Sequence, residues 1–275
     1  MDQYCVMGNP VEHSQSPWIH ARFAELTGQT LNYSRRLVAL DGFKQALHDF
    51  QSEGGRGCNV TVPFKLEAAA LAVRLTPRAT LAQAANTLWF EADGIHADNT
   101  DGVGLVSDIE SHARVPLAGQ AVLLIGAGGA AAGVLGALIE AGARSITLVN
   151  RTRHKAETLV ARHAALALLL KTELTAKDLQ GLDGYFDVII NASASSLTGA
   201  GVPVGGHVLR PGALAYDMMY GPAAKGFRAW AAENGARPRD GLGMLVEQAA
   251  EAFFLWRGVR PPSAQVLAEM RKTQP

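Results

Sequence analysis

The feature that most constrains this chain is a run of nineteen residues, Ala121 to Ile139, without one charged or strongly polar side chain. On length alone it approaches the roughly twenty residues of a membrane-spanning helix. Five of the nineteen are glycines, however, and they begin only after the apolar run AVLLI (121–125), where a membrane helix would gain nothing from a tight turn. Read as strand, turn and helix, the segment places Gly126-Ala127-Gly128-Gly129-Ala130-Ala131 in the pattern G-x-G-x-x-[GA]. A second apolar strand, SITLVN (145–150), follows about 20 residues on. In that context Gly126 permits the turn, Gly128 lets backbone approach a pyrophosphate, and Ala131 packs helix on strand. The turn from Gly126 to Ala130, with its helix N-terminal amides, then faces the phosphates of a dinucleotide.

The end of the second strand selects among dinucleotides. An NAD site presents Asp or Glu there to the ribose hydroxyls, whereas this chain has Asn150-Arg151-Thr152, with Arg153 and Lys155 close behind. A carboxylate would repel a 2′-phosphate and a guanidinium pairs with it, so the expectation is NADP, held also by Lys155. Cations at a helix start oppose the macrodipole, which argues against a merely solvated face.

The rest of the chain alternates in the same way. QYCVM (3–7), a helix from Pro17 to about Thr27, YSRRLV (33–38), a helix from about Gly42 to Gln51 and GCNVTV (57–62) precede the glycine turn. Pro17 and Pro63 are expected in first helical turns. After it come a helix from Gly129 to about Ala141, SITLVN, a helix near 153–164, and then ALALLL (165–170), FDVII (186–190) and ALAYD (213–217) as further strands. This is an α/β fold with mainly parallel strands. A length of 275 residues suits two domains, each able to bury a core. The pattern breaks at VPLAGQ and near ARPRDG. The expected division is residues 1–101 as a substrate-binding catalytic domain, 102–118 as a linking helix, 119–237 as a doubly wound nucleotide domain, and 238–275 as helices returning to the first. Ligands of such folds bind at strand carboxyl ends and between domains.

Charge and cysteine content narrow the partners. The 25 basic and 25 acidic side chains cancel, so no general positive field draws nucleic acid or an anionic membrane. Cys5 and Cys58 lie apart, without a CxxC or a neighbouring His pair, which excludes a zinc site and a disulfide framework. No metal is expected. The first residues show no basic stretch before an apolar run, so the expectation is a cytoplasmic protein.

Several polar residues sit where structure alone does not require them. In Gly8-Asn9-Pro10-Val11-Glu12-His13-Ser14-Gln15-Ser16-Pro17, Ser14 and Ser16 are spaced so that both hydroxyls can face one oxyanion; equally, Ser16 can cap the helix that follows. Asn59 and Thr61 share a face, and Lys65 lies in a first helical turn against the dipole. Asn86-Thr87 starts a strand. Asp101, in Asp98-Asn99-Thr100-Asp101-Gly102, can also act as a helix cap.

Together these segments resemble a known family. GNPVEHSQSP, NVTVPFK, NTLW, DNTDG, GAGGAA, NRT, YDMMY and GLGMLVEQAA, in this order and spacing, are similar to shikimate dehydrogenase from end to end. The resemblance implies a catalytic domain split between the two ends of the chain, and a Rossmann domain that binds NADP. It implies reversible reduction of 3-dehydroshikimate to shikimate, a step of chorismate and aromatic amino acid biosynthesis. By the same resemblance Ser14 and Ser16 hold the substrate carboxylate. Thr61, Asn86 and Gln248 surround the ring, Tyr220 adds a contact, Lys65 and Asp101 are the catalytic pair, and Gly241 adjoins the cofactor. Residues 191–199 match the loop near the nicotinamide only loosely, and GPAAKGF after Tyr220 departs from the Thr-Pro pair of many relatives. Two other readings are a relative that takes quinate or NAD, and a catalytically silent nucleotide sensor. The expected partner is the small-molecule substrate alone, with no nucleic acid and no membrane, the chain being a monomer or homodimer.

Overall fold

The computed structural model describes residues 1–193 and 201–273. The chain forms two compact units, residues 1–104 with 245–275, and residues 105–244. These limits differ from those expected from pattern. Most of 102–118 belongs to the second unit, and the return to the first comes at 245 rather than 238. The helical part of the link is also shorter than expected: it ends at His112, and Arg114 follows with φ +56°, a left-handed conformation that does not continue a helix.

In the first unit, β1 (Asp2–Gly8) leads to α1 (Ser16–Thr27), β2 (Leu31–Leu37), α2 (Phe43–Ser52) and β3 (Gly55–Val60). Then follow α3 (Lys65–Leu71), a two-residue strand β4 (Arg74–Leu75), α4 (Pro77–Ala82), the hairpin β5 (Thr87–Glu91) and β6 (Gly94–Asp98), and α5 (Asp101–Ser107). The sheet order is β2-β1-β3-β5-β6-β4, with β1 parallel to β2 and β3, and β5 antiparallel to both its neighbours. Met7, Phe43, Phe64 and Leu88 are among the residues of its core. Strand β3 stops at Val60, short of the expected Val62. Thr61 still donates its N–H to Met7, but its carbonyl accepts from Phe64 N, which turns the chain into α3. Pro63 lies in that turn, ahead of the helix rather than inside it, and the Val62–Pro63 and Asn9–Pro10 bonds are cis.

In the second unit, a π-helical turn (Asp108–His112) is followed by β7 (Ala121–Ile125), α6 (Gly129–Glu140), β8 (Ser145–Val149), α7 (Arg153–Leu169) and β9 (Glu173–Lys177). Beyond these lie β10 (Phe186–Asn191), β11 (Leu209–Asp217), α8 (Lys225–Glu233) and β12 (Arg237–Arg239). All strands are parallel, in the order β12-β11-β10-β7-β8-β9, which is the doubly wound order of a Rossmann sheet. The uncharged run 121–139 is thus a buried strand and a helix. Among the described residues no helix is long and apolar enough to cross a membrane.

One element differs outright from the pattern reading. ALALLL is not a strand but the last turns of α7. Along that helix Ala156, Leu159, His163 and Ala167 are buried at helical spacing, while Leu168 is 82% exposed. The strand expected there is the more polar ELTAK of β9. The last helices, α9 (Leu242–Arg257) and α10 (Ser263–Thr273), carry the chain back to the first unit.

Candidate active site

In the first unit, four of the expected residues converge. Lys65 is the first residue of α3 and Asp101 the first of α5; the Lys65 ammonium donates to Asp101 Oδ2, with the side chains 17% and 6% exposed. Asn86, at the start of β5, donates through Nδ2 to Asp101 Oδ1 (2.8 Å), Thr100 Oγ1 (3.0 Å) and Gln248 Oε1 (3.3 Å). Gln248 on α9 donates in turn to the Leu245 carbonyl (2.8 Å). Two carboxylate oxygens are therefore held by two different donors, one of them charged. The pair resolves the awkward placement of Lys65. A cation in a first helical turn is disfavoured by the dipole, and a carboxylate in the first turn of another helix is favoured, so the ion pair joins the two ends. Asp101 spends its side chain on Lys65 and Asn86 rather than on capping α5.

The serines form a second group. Ser14 Oγ lies 3.2 Å from Ser16 Oγ, and Ser16 N donates to Ser14 Oγ at 3.3 Å. The capping alternative for Ser16 does not hold. It is itself the first residue of α1, and Gln15 is at the N-cap position, where its side chain makes no capping bond. The loop is pinned by Arg35, whose guanidinium donates twice to the Ser14 carbonyl (2.9 and 2.6 Å). Thr61 is half-buried and packs on Gly8, where an added Cβ would lie 2.3 Å from its methyl.

Two buried residues outside the expected set belong to this network. Thr100 N donates to Asn86 Oδ1 (2.8 Å), which fixes the amide's orientation. Asn59 Nδ2 donates to the Asn86 carbonyl and to Thr87 Oγ1 (3.1 Å each) while its oxygen accepts from Tyr33 (2.7 Å). The signal for Thr100 was its place beside Asp101. That for Asn59 was its alternation with Thr61.

In the second unit, Gly126 follows β7 with φ +111°, a left-handed conformation suited to glycine, and a Cβ there would lie 3.0 Å from the Ala192 carbonyl. Ala192 follows β10, so this close approach sits where the strand order reverses, the place where dinucleotides lie in this architecture. Gly128 is at the N-cap position of α6, no side chain caps that helix, and a Cβ on Gly128 would enter open space. The amide end of α6, with Ala127, Gly129 and Ala130 around it, thus has room for an anion and carries no acidic residue in its first turn. Asn150 donates to the Thr152 carbonyl at 2.8 Å, which shapes the turn after β8. Arg153 is engaged with Glu157 (2.8 Å) and Asp178 (2.5 Å). The exposed side chains of Arg151 and Lys155 have no ion pair among the described residues, and they are the cations that remain for a 2′-phosphate. Donors, open space and cations of this unit therefore fit NADP.

Tyr220 and Gly241 belong to the second unit, whereas the Lys65 cluster belongs to the first. Gly241 has a steric reason to be glycine, since a Cβ would lie 2.2 Å from the Met218 carbonyl. Of the loop expected near the nicotinamide, residues 194–199 lie outside the described residues. Among the described residues no group of three or more His, Cys, Asp or Glu is placed to hold a metal ion.

Comparison with known proteins agrees with these features. The family model for the shikimate dehydrogenase substrate binding domain matches residues 6–88, that for shikimate / quinate 5-dehydrogenase matches 109–198, and that for the shikimate 5′-dehydrogenase C-terminal domain matches 241–271. The shikimate dehydrogenase (NADP(+)) of Acidovorax sp. (strain JS42) is 68% identical over 270 residues, covering 98% of this chain and 96% of that protein. The protein of the same name from Cupriavidus necator is 54% identical over 98% of this chain and 93% of its own length. Among solved structures, an Ael1 enzyme from Pseudomonas putida superposes with a TM-score of 0.86 at 43% identity, covering 98% of each chain. Shikimate 5-dehydrogenase from Thermus thermophilus, in complex with NADP(H) and shikimate, gives a TM-score of 0.86 at 29% identity over 99% of each chain. With matches running from one end of the chain to the other, the chain belongs to the shikimate dehydrogenase family.

Proposed function

We propose that the chain is an NADP-dependent oxidoreductase that interconverts 3-dehydroshikimate and shikimate through Lys65 and Asp101. The observation that carries this reading is the Lys65–Asp101 ion pair, locked by Asn86 into one network with Gln248. A silent nucleotide sensor has no use for such a pair.

NADPH, when bound, supplies the hydride that adds to the ketone carbon. The carbonyl electron pair moves onto oxygen, and the Lys65 ammonium donates the proton that the oxygen takes up. Asp101 accepts from the ammonium and orients it, and the partial exposure of Lys65 lets solvent restore the proton. Asn86 keeps the Asp101 carboxylate facing Lys65, and with Thr61 and Gln248 it faces the ring hydroxyls. The Ser14 and Ser16 hydroxyls donate to the substrate carboxylate, with Tyr220 as a further contact. Gly126 to Ala130, Asn150, Arg151, Thr152, Lys155 and Gly241 hold the cofactor. On this reading the enzyme works in the cytoplasm as a monomer or homodimer, with no nucleic acid or membrane as partner.

Rates of reduced-cofactor formation with shikimate and with quinate, each with NADP and with NAD, test the reading. The shikimate and NADP combination is expected to dominate. A dominant quinate or NAD rate makes the chain the broader relative, and four null rates leave only the sensor.

A further inference from the structure

Arg78 contributes no atom to the network of Lys65, Asp101, Asn86 and Gln248, yet it holds two of that network's supports. It lies in the first turn of α4, where Nε donates to Asp98 Oδ1 (2.7 Å) and Nη2 donates to both Asp98 Oδ2 (2.5 Å) and Glu251 Oε1 (2.9 Å). Asp98 closes β6 three residues before Asp101 and is almost fully buried. Its Oδ1 also accepts from Asn99 N (2.7 Å) and Thr76 Oγ1 (2.5 Å), and its backbone carbonyl accepts from Asn86 N (3.0 Å). Glu251 lies one helical turn beyond Gln248 on α9, and its other oxygen accepts from Arg260 (2.6 Å). One guanidinium thus ties the turn that presents Asp101 to the helix that presents Gln248.

The chemistry of the link argues for placement rather than bulk stability. Two carboxylates drawn to the same Nη2 repel each other, and the delocalised guanidinium between them offsets that repulsion. Burial pushes the Glu251 carboxyl up, but Arg78 and Arg260 hold it below the ordinary range. Buried ion pairs are poor sources of net stability, since apolar residues of similar volume serve as well or better. What such residues cannot supply is direction. The planar fork fixes the Asp98 carboxylate in two dimensions while its third contact sets the distance to α9.

We propose that Arg78 is a positioning residue of the substrate site, setting the register between the Asp98–Asp101 turn and the Gln248 turn of α9. This rests on the reading that Asp101 and Gln248 meet the substrate.

Arg78→Lys keeps the charge but cannot make the fork. Well below the melting temperature, its KM for shikimate should rise about tenfold and kcat fall about tenfold, because a misplacement of about 1 Å from a remote change can cost about a hundredfold. KM for NADP should stay within about twofold. Gln248→Ala, assayed alongside, should raise KM for shikimate, and the double variant should lose less than the product of the two, since one effect runs through the other. Glu251→Gln leaves the Arg78–Asp98 fork in place, so it reads the α9 half of the link even where Arg78→Lys does not fold; a rise in shikimate KM is expected there too. If Gln248→Ala leaves shikimate KM unchanged, the reading of the site fails, and the proposal with it. If Gln248→Ala raises KM while Arg78→Lys and Glu251→Gln only lower the melting temperature, the site reading stands and Arg78 is structural. Losses that multiply in the double variant also overturn the proposal.

Discussion

Replacing Lys65 by Met removes the ammonium and keeps most of the side-chain volume, so it separates the charge from the packing. Breaking a buried ion pair costs about 3–5 kcal/mol when the remaining charge is left uncompensated. Here the remaining charge is partly compensated. Asp101 keeps the Asn86 N–H at 2.8 Å and its place in the first turn of α5, and removing a cation from the first turn of α3 returns a fraction of a kcal/mol. The net loss should be about 1–3 kcal/mol, a fall of roughly 3–10 °C in Tm for a chain of this size. Catalysis should suffer more. A general acid is worth about 10²- to 10⁴-fold, so kcat should fall by at least about a hundredfold, which is about 2.7 kcal/mol in the barrier. The ammonium interacts more strongly with the developing alkoxide than with the ketone, so KM for shikimate should stay within about threefold. Steady-state NADPH formation, at saturating NADP and varied shikimate, measures both parameters. Asp101→Asn should give a similar loss, and the double variant should be little worse than the worse single one, because the two act as a unit. A kcat near that of the wild type in Lys65→Met would remove Lys65 from proton transfer, and losses that multiply in the double variant would refute the paired action.

Three further outcomes are expected. Arg151→Asp should lower kcat/KM for NADP by about 30-fold or more, a figure at the low end for a phosphate pair because the side chain is exposed, and leave NAD little affected; equal losses with both cofactors would count against a 2′-phosphate contact. Ser14→Ala and Ser16→Ala should each raise KM for shikimate by about tenfold, and Ser16→Ala should do so with little change in Tm, since its hydroxyl does not cap α1, whereas Ser14→Ala also removes the acceptor of the Ser16 N–H; a lower Tm with unchanged KM in Ser16→Ala would restore a structural role. His20 is fully buried among Phe23, Tyr33, Phe253 and Trp256, its ring nitrogens have no hydrogen-bond partner among the described residues, and burial pushes its pKa down to about 3. The unfolded chain takes up this proton near the ordinary value of 6.5 and the folded chain does not, so stability is complete above about 6.5 and falls by up to about 1.4 kcal/mol per pH unit below it. His20→Phe should flatten this dependence in urea unfolding between neutral pH and pH ~5; an identical slope in both proteins would assign the acid sensitivity to other groups.

How much of this was legible from the residues depends on how local the cause was. The turn from β7 into α6 is written in a strand-length apolar run, in a glycine at φ +111°, and in small residues beside it, all within a dozen positions. The pattern reading found it. ALALLL was misread because an apolar run of strand length also suits the end of an amphipathic helix. Only the phase of Ala156, Leu159 and His163, carried forward to Ala167, shows that the buried side continues and that Leu168 and Leu169 face outward. Strand β9 was missed for the converse reason. Glu173-Leu174-Thr175-Ala176-Lys177 is a strand by its pairing with β8, not by apolar content. The two-residue β4 has too little sequence to carry any period.

The site divides along the same line. That Lys65 and Asp101 were out of place was legible, since each is odd for its helix position in a different way: one opposes the dipole and the other has a capping role it does not perform. Which partner each would take was not, because pairing is decided by topology. The reading of Arg151 and Arg153 shows the limit most clearly. As residues they are equivalent cations two positions apart. In the fold Arg153 turns to Glu157 on its own helix and to Asp178 beyond β9, and Arg151 is left facing solvent at the end of β8. Arg78 lay beyond any local reading, for its carboxylate partners stand 20 and 173 positions away. Local sequence therefore identifies the groups able to do the chemistry, and long-range pairing decides which of them are still free to do it once the chain has folded.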